Sequence, residues 1–196
     1  ACEIPVAGKH LFDSLEQMRN RGNGKGGGVA LVGLDPEQFG VTKQILENDY
    51  LYTVAYLDPA SRSEVEESFI HATFEVDHIH EMPKLRDWQT ILPELDVEPP
   101  EVVCYFVRPR VAAVEEFQAK SGLSAKDFDG KTGMLDEIVF HATHALNVEF
   151  YAGERGTQAF VLSHGVNMLI LKIVGYAEDV IRYYRLEHIT AHVWIG

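Results

Sequence analysis

Apolar and polar residues change their period several times along this chain, and each change predicts an element. Leu11, Leu15 and Met18 recur at helical spacing with Phe12 beside them, so a first helix is expected there. A glycine-rich run follows, and then the apolar stretch Val29-Ala30-Leu31-Val32-Gly33-Leu34, which predicts a strand ended by the turn Asp35-Pro36. Residues 50–57 read as a second strand. Asp58-Pro59 opens a helix over roughly 60–70, where Glu64, Glu66 and Glu67 suit the positive end of the helix dipole. Phe74, Val76 and Ile79 alternate imperfectly, giving a strand over about 72–81, and the proline-punctuated stretch 82–100 reads as loop with a short helix. A strand over 102–107 precedes a helix over 109–122 with Val111, Val114 and Phe117 on one face.

The last third returns to long, regular elements. A helix over 133–151 carries a wide apolar stripe from Leu135, Ile138, Val139, Ala142, Ala145, Leu146 and Phe150. Segments 158–162 and 168–174 read as a hairpin around Ser163-His164-Gly165-Val166-Asn167, followed by a helix over 175–188 and a strand over 190–195. The class is α+β. The order strand, helix, strand, strand, helix in the middle suggests a ferredoxin-like subdomain inserted between residues 35 and about 130.

Composition narrows the partners. With 196 residues the chain suits one domain, or one domain with a large insertion, and no apolar stretch approaches the length that crosses a membrane. Thirty acidic against seventeen basic residues leave a formal charge of −13, which repels a phosphate backbone and an anionic membrane surface alike. Neither nucleic acid nor membrane is expected. Two distant cysteines, Cys2 and Cys104, make no disulfide framework and fit a reducing cytosol. Cys104, set among valines and aromatics, reads as a buried core thiol.

Gly22, Gly24 and Gly27 satisfy G-x-G-x-x-G, but their context opposes a nucleotide. That fingerprint needs a strand before it and a helix after it, and here the order is reversed. Lys25 is followed by Gly26 rather than by the Ser or Thr a phosphate loop uses for magnesium. The plainer reading is a helix end and a loop that needs positive φ at several positions.

Four segments carry a resemblance. They are Met18-Arg19-Asn20-Arg21-Gly22-Asn23-Gly24-Lys25-Gly26-Gly27-Gly28, Ala159-Phe160-Val161-Leu162-Ser163-His164-Gly165, Lys172-Ile173-Val174-Gly175-Tyr176-Ala177-Glu178-Asp179-Val180, and His192-Val193-Trp194-Ile195-Gly196. Together they resemble the glutamine amidotransferase domain of archaeal-type glutamate synthases. The two ends of the chain carry the match, and the stretch from about 50 to 130 shares it only loosely. The resemblance implies a class II amidotransferase with the N-terminal-nucleophile hydrolase fold, an αββα sandwich, spanning 1–196 and continuing past Gly196 into a His-x-Arg-Tyr-Pro-Thr-like segment and an Asn-Gly.

It implies chemistry as well. A cysteine thiolate attacks the glutamine amide carbonyl, a glutamyl thioester forms, ammonia leaves, and water completes the cycle. The resemblance makes Cys2 the nucleophile. Its own α-amino group would be the base, since an amine with pKa near 8 and a thiol near 8.5 exchange a proton almost evenly. Ala1 stands ahead of Cys2, and Glu3 stands where the family has glycine. Arg21, Gly22 and Asn23 would shape the substrate pocket. No cofactor is implied in this chain. FMN and iron-sulfur centres are expected in a glutamate synthase catalytic domain or subunit that aminates 2-oxoglutarate, and an oligomer is the expected state. The alternative is a catalytically silent amidotransferase-like module for binding or assembly.

Three other constellations stand beside this one. Glu137, His141 and His144 share a helix face at metal-compatible spacing, and His78 and His80 share a strand side near His71, Glu75 and Glu81. A solvated helix face and an exposed strand edge are the plainer readings. Ser163-His164 resembles two members of a triad, but neighbours in a strand point to opposite faces. Tyr183-Tyr184-Arg185 reads as core packing followed by a surface cation.

Overall fold

The strands pair into two four-stranded antiparallel sheets in a computed structural model that describes residues 2–154 and 156–196. In chain order the elements are β1 (Val6–Ala7), α1 (Phe12–Met18), β2 (Gly27–Leu34), α2 (Lys43–Asn48), β3 (Tyr50–Tyr56), α3 (Arg62–Val65), α4 (His71–Thr73) and β4 (Phe74–Glu81). There follow α5 (Trp88–Ile91), β5 (Glu101–Pro109), α6 (Val111–Ser121), α7 (Gly130–Asn147), β6 (Ala159–Val166), β7 (Met168–Ile173), α8 (Ala177–Tyr183) and β8 (Thr190–Ile195). One sheet has the order β1-β8-β2-β7 and the other β4-β5-β3-β6.

The second sheet is built from the middle of the chain. Its order, with α3–α4 between β3 and β4 and α6–α7 between β5 and β6, is that of a β-α-β-β-α-β unit with split pairs. That unit runs from Tyr50 to Val166, so the segment 35–130 holds three of its four strands and β6 supplies the fourth. Period-2 alternation sorts its side chains. Val103, Tyr105 and Val107 pack with Tyr52, Val54, Val139, Leu146 and Phe150 in one core, while Val102, Cys104 and Phe106 enter the other. Both faces are buried, which is why β3 and β5 read as continuous apolar runs.

The first sheet contributes one face to the shared core, through Val29, Leu31, Leu169, Leu171 and Ile173. Val180, Ile181, Tyr183 and Tyr184 of α8 join the same cluster. Helices α1 and α8 stand on this face. A Cβ on Gly27 would meet the backbone of Tyr176 and Ala177, and one on Gly196 would meet Leu15. The opposite face is half exposed, with Val32 and Ile195 open to solvent.

The expected hairpin around 163–167 is replaced by something tighter. Strand β6 continues to Val166, Asn167 turns the chain with φ of 53°, and β7 begins at Met168. The two strands then enter different sheets, β6 beside β3 and β7 beside β2. Asn167 fixes the corner, because its Oδ1 accepts a hydrogen bond from the Leu34 N–H at 2.7 Å. Asparagine tolerates this left-handed conformation better than other chiral residues.

Candidate functional site

The glycine run links α1 to β2 through a short turn, Arg19–Arg21. Several positive φ angles were expected in it, and only Gly24 has one, at 70°. Gly27 serves a different need. Its missing Cβ lets the strand pass within 2.5 Å, measured from an ideal Cβ, of the Tyr176 carbonyl carbon where α8 begins. The result is a cavity of about 290 Å³ between the loop, the end of α1 and the start of α8, with Arg19, Arg21, Gly22 and Glu178 in its wall.

Glu178 is the unusual member of that wall. It is 3 % exposed, and its Oε1 accepts no hydrogen bond. Arg19 Nε stands 3.7 Å away, beyond hydrogen-bond reach, because the Arg19 guanidinium stacks on the Tyr176 ring at 4.3 Å and pairs with Glu94. Buried carboxylate oxygens normally find a donor. This one has none, on a residue that lines a cavity.

The expected site residues divide. Arg21 and Gly22 line the cavity, whereas Asn23 is exposed and its Oδ1 accepts from the Lys25 N–H at 3.0 Å in a local turn. Cys2 lies elsewhere. It is exposed, its N–H donates to the His192 carbonyl at 2.8 Å, and His192 Nδ1 lies 2.7 Å from its carbonyl oxygen. From His192 to the cavity-lining Gly196 is four residues of extended chain, about 13 Å. Ala1, the residue that bears on an amino-terminal base, lies outside the described residues.

Among the described residues no group of three or more His, Cys, Asp or Glu is placed to hold a metal ion. Glu137 and His141 pair at 3.2 Å, and His144 does not join them in a ligand set. His78 and His80 are half-buried rather than exposed at the strand edge, with the His80 ring 5.0 Å from Phe39 and the His78 ring 6.0 Å from Phe106. Ser163 and His164 do point apart. The Ser163 hydroxyl accepts from the Ile170 N–H, while His164 Nδ1 lies 3.0 Å from the Thr143 hydroxyl. Cys104 is fully buried, and burial pushes its thiol up to about 12, so it is inert as a nucleophile. Tyr183 and Tyr184 are core residues whose hydroxyls donate to the carbonyls of Pro99 and Pro100.

Sequence reading missed a second cluster. Thr42 caps α2 by accepting from the Ile45 N–H, and the helix ends at Asp49, which turns the chain into β3. Asp49 is 2 % exposed. Across from it Arg108 forks onto Asp77, Nε to Oδ2 at 2.7 Å and Nη2 to Oδ1 at 3.0 Å, and reaches Glu75 at 3.4 Å. The only legible hint was opposite charge at paired positions, Glu75 facing Arg108 across β4 and β5. A buried Asp49 beside them has no sequence signature, since its neighbours come from elements far apart in the chain.

Burial first, and the nearby Asp77 carboxylate second, push the Asp49 carboxyl from the usual 3.8 to about 7, against the pull of Arg108. The folded chain therefore holds a proton that the unfolded chain releases near pH 4. The contribution of Asp49 to stability falls as pH rises from about 4 to 7, and its loss is complete above 7. Asp77 shifts the other way, held down mainly by Arg108, and its contribution is lost only below the usual carboxylate range. We expect the melting temperature of Asp49→Asn, taken relative to the unsubstituted protein, to rise between pH 5 and pH 8. Thermal melts at the two pH values read this directly. An equal difference at both would mean that Asp49 is not the titrating group.

The chain matches no protein-family model. It is similar to an uncharacterized protein of Archaeoglobus fulgidus, 28 % identical over 192 residues that make up 96 % of this chain and 41 % of that protein. The chain thus spans about two fifths of the relative's length.

Proposed function

We propose that the chain is the glutaminase part of a class II, glutamate synthase-like amidotransferase, on an N-terminal-nucleophile hydrolase scaffold, and that glutamine enters the glycine-loop cavity. The observation that carries this reading is the buried Glu178 carboxylate, whose Oε1 accepts no hydrogen bond, beside exposed Arg21 in one small cavity. A free amino acid presents an ammonium and a carboxylate together. Glu178 suits the first and Arg21 the second, the guanidinium fork matching a carboxylate. Two antiparallel sheets sharing one apolar core are compatible with the scaffold.

Catalysis then falls to Cys2. Its Sγ attacks the side-chain amide carbon, the carbon–nitrogen bond breaks, and ammonia leaves with a proton. Water attacks the thioester, returning glutamate and the thiol. Since Cys2 is paired with His192, the reaction requires residues 2–5, which form neither helix nor strand, to re-seat nearer the cavity. Ammonia would pass to a synthase domain or subunit carrying FMN and iron-sulfur centres, for amination of 2-oxoglutarate. The Cys2–His192 pairing also favours a second reading, a silent module that binds an amino acid without turnover.

A diazo-ketone analogue of glutamine, followed by peptide mapping, separates the readings. We expect an adduct on Cys2 that excess glutamine suppresses and that Glu178→Gln forms about ten-fold more slowly, since a charge-assisted bond of this kind is worth about 1.5–3 kcal/mol. No adduct, with calorimetric glutamine binding that Glu178→Gln abolishes, identifies the silent module. Neither adduct nor binding removes both.

A further inference from the structure

Two buried side-chain oxygens among the described residues lack a hydrogen-bond partner, and each belongs to a residue in the wall of a cavity. Glu178 belongs to the site above. The other is Asp49 Oδ2, in a separate cavity of about 510 Å³ whose wall also includes Thr42, Gln44, Asn48, Asp77 and Arg108.

Charge decides what such a cavity can accept. Arg108 is already forked on Asp77, and its Nε stands 3.7 Å from Asp49 Oδ1, too far for a hydrogen bond. One guanidinium therefore serves Asp77 and Glu75 first, while Asp49, set beside Asp77, keeps an Oδ2 that no donor reaches. An anion entering here would be repelled by Asp77, and above pH 7 by Asp49 as well. A bare divalent ion is disfavoured, because among the described residues no three His, Cys, Asp or Glu side chains gather to hold one and the Arg108 guanidinium shares the wall. The volume fits a small organic molecule rather than a lone ion.

We propose that this cavity binds a small organic amine through its primary ammonium group, with Asp49 and Asp77 as the charged acceptors. An ammonium has three donors and no acceptor, and the wall offers Asp49 Oδ2, Asp77 and the oxygens of Thr42, Gln44 and Asn48. Thr42, Gln44 and Asn48 are exposed, so their side chains can yield as the amine reaches Asp49. Because burial raises the Asp49 carboxyl to about 7, amine binding releases a proton below that pH, and affinity rises toward pH 8.

The test is an amide ¹H–¹⁵N titration of the full chain with n-butylamine at pH 8, where the amine is charged, beside 1-butanol as the neutral isostere. We expect saturable shifts at residues 44–49, 77 and 108 with an affinity of about 1–10 mM, and none with 1-butanol. Asp49→Asn should weaken binding at least about ten-fold. Gln44→Glu, a charge added at the exposed rim, should tighten it about two- to five-fold. Shifts that fail to saturate, or that butanol reproduces, overturn the site. If Asp49→Asn does not fold, Gln44→Glu decides, and an unchanged affinity overturns the proposal.

Discussion

Phe106→Ala is expected to lower the free energy of unfolding by about 3–5 kcal/mol, and so the melting temperature by roughly 6–20 °C. Phe106 is fully buried on β5, where its ring lies edge-on to Phe39 at 6.3 Å and 6.0 Å from His78. Truncation removes the transfer energy of the ring and leaves a void that paired strands cannot close, since Leu51 and His78 are held opposite by β3 and β4. Denaturant unfolding with an unchanged slope would place the effect in the folded state. A cost below about 1 kcal/mol would mean that the neighbouring strands close the void after all. The consequence reaches the Asp49 cavity. Phe39 lies just before the segment Thr42 to Asp49, so loosening it should broaden the amide signals of α2 before those of the first sheet.

Gly27→Ala is expected to cost about 1–3 kcal/mol and to abolish amino-acid binding at the glycine loop. The added carbon would stand 2.5 Å from the Tyr176 carbonyl carbon, 2.6 Å from the Ala177 nitrogen and 2.8 Å from the Gly175 oxygen. All three are backbone, so no rotamer change relieves the contact and the start of α8 must move. Glu178 would move with it. Gly26→Ala is the control, because nothing lies within 4 Å of its Cβ and its φ is not positive. There the effect should be neutral, or stabilising by about 0.4–1 kcal/mol through a less flexible unfolded chain. If both variants behave alike under thermal melting, close approach is not what glycine supplies at position 27.

Most elements were legible because periodicity is a local property. The unbroken apolar run at 102–107 and the stripe from Leu135 to Phe150 follow from burying both faces of one element and one face of the other, and they appear as β5 and α7. Two elements carried weaker local patterns. The six-residue α2 rests on a Thr42 cap, and the expected helix at 60–70 becomes α3, a wider turn over Glu66–Ile70 and α4. The candidate site was half legible. The glycine run marked the cavity wall at Arg21 and Gly22, while Glu178 drew notice only inside a matching segment.

The sequence by itself determined the α+β class, most of the long strands and helices, the burial of Cys104 and of the Tyr183–Tyr184 pair, and the acidic composition, because each depends on residues near one another in the chain or on composition alone. Only the tertiary structure decided which sheet each strand joins. Asn167, turning at one residue and bonded to Leu34, sends β6 and β7 apart. It alone brought Asp49, Asp77 and Arg108 to one cavity, set Cys2 against His192 rather than in the wall beside Arg21, and left Glu178 Oε1 without a hydrogen bond. Those outcomes depend on contacts between residues tens to hundreds of positions apart, where packing and register choose the neighbours and no local pattern records them.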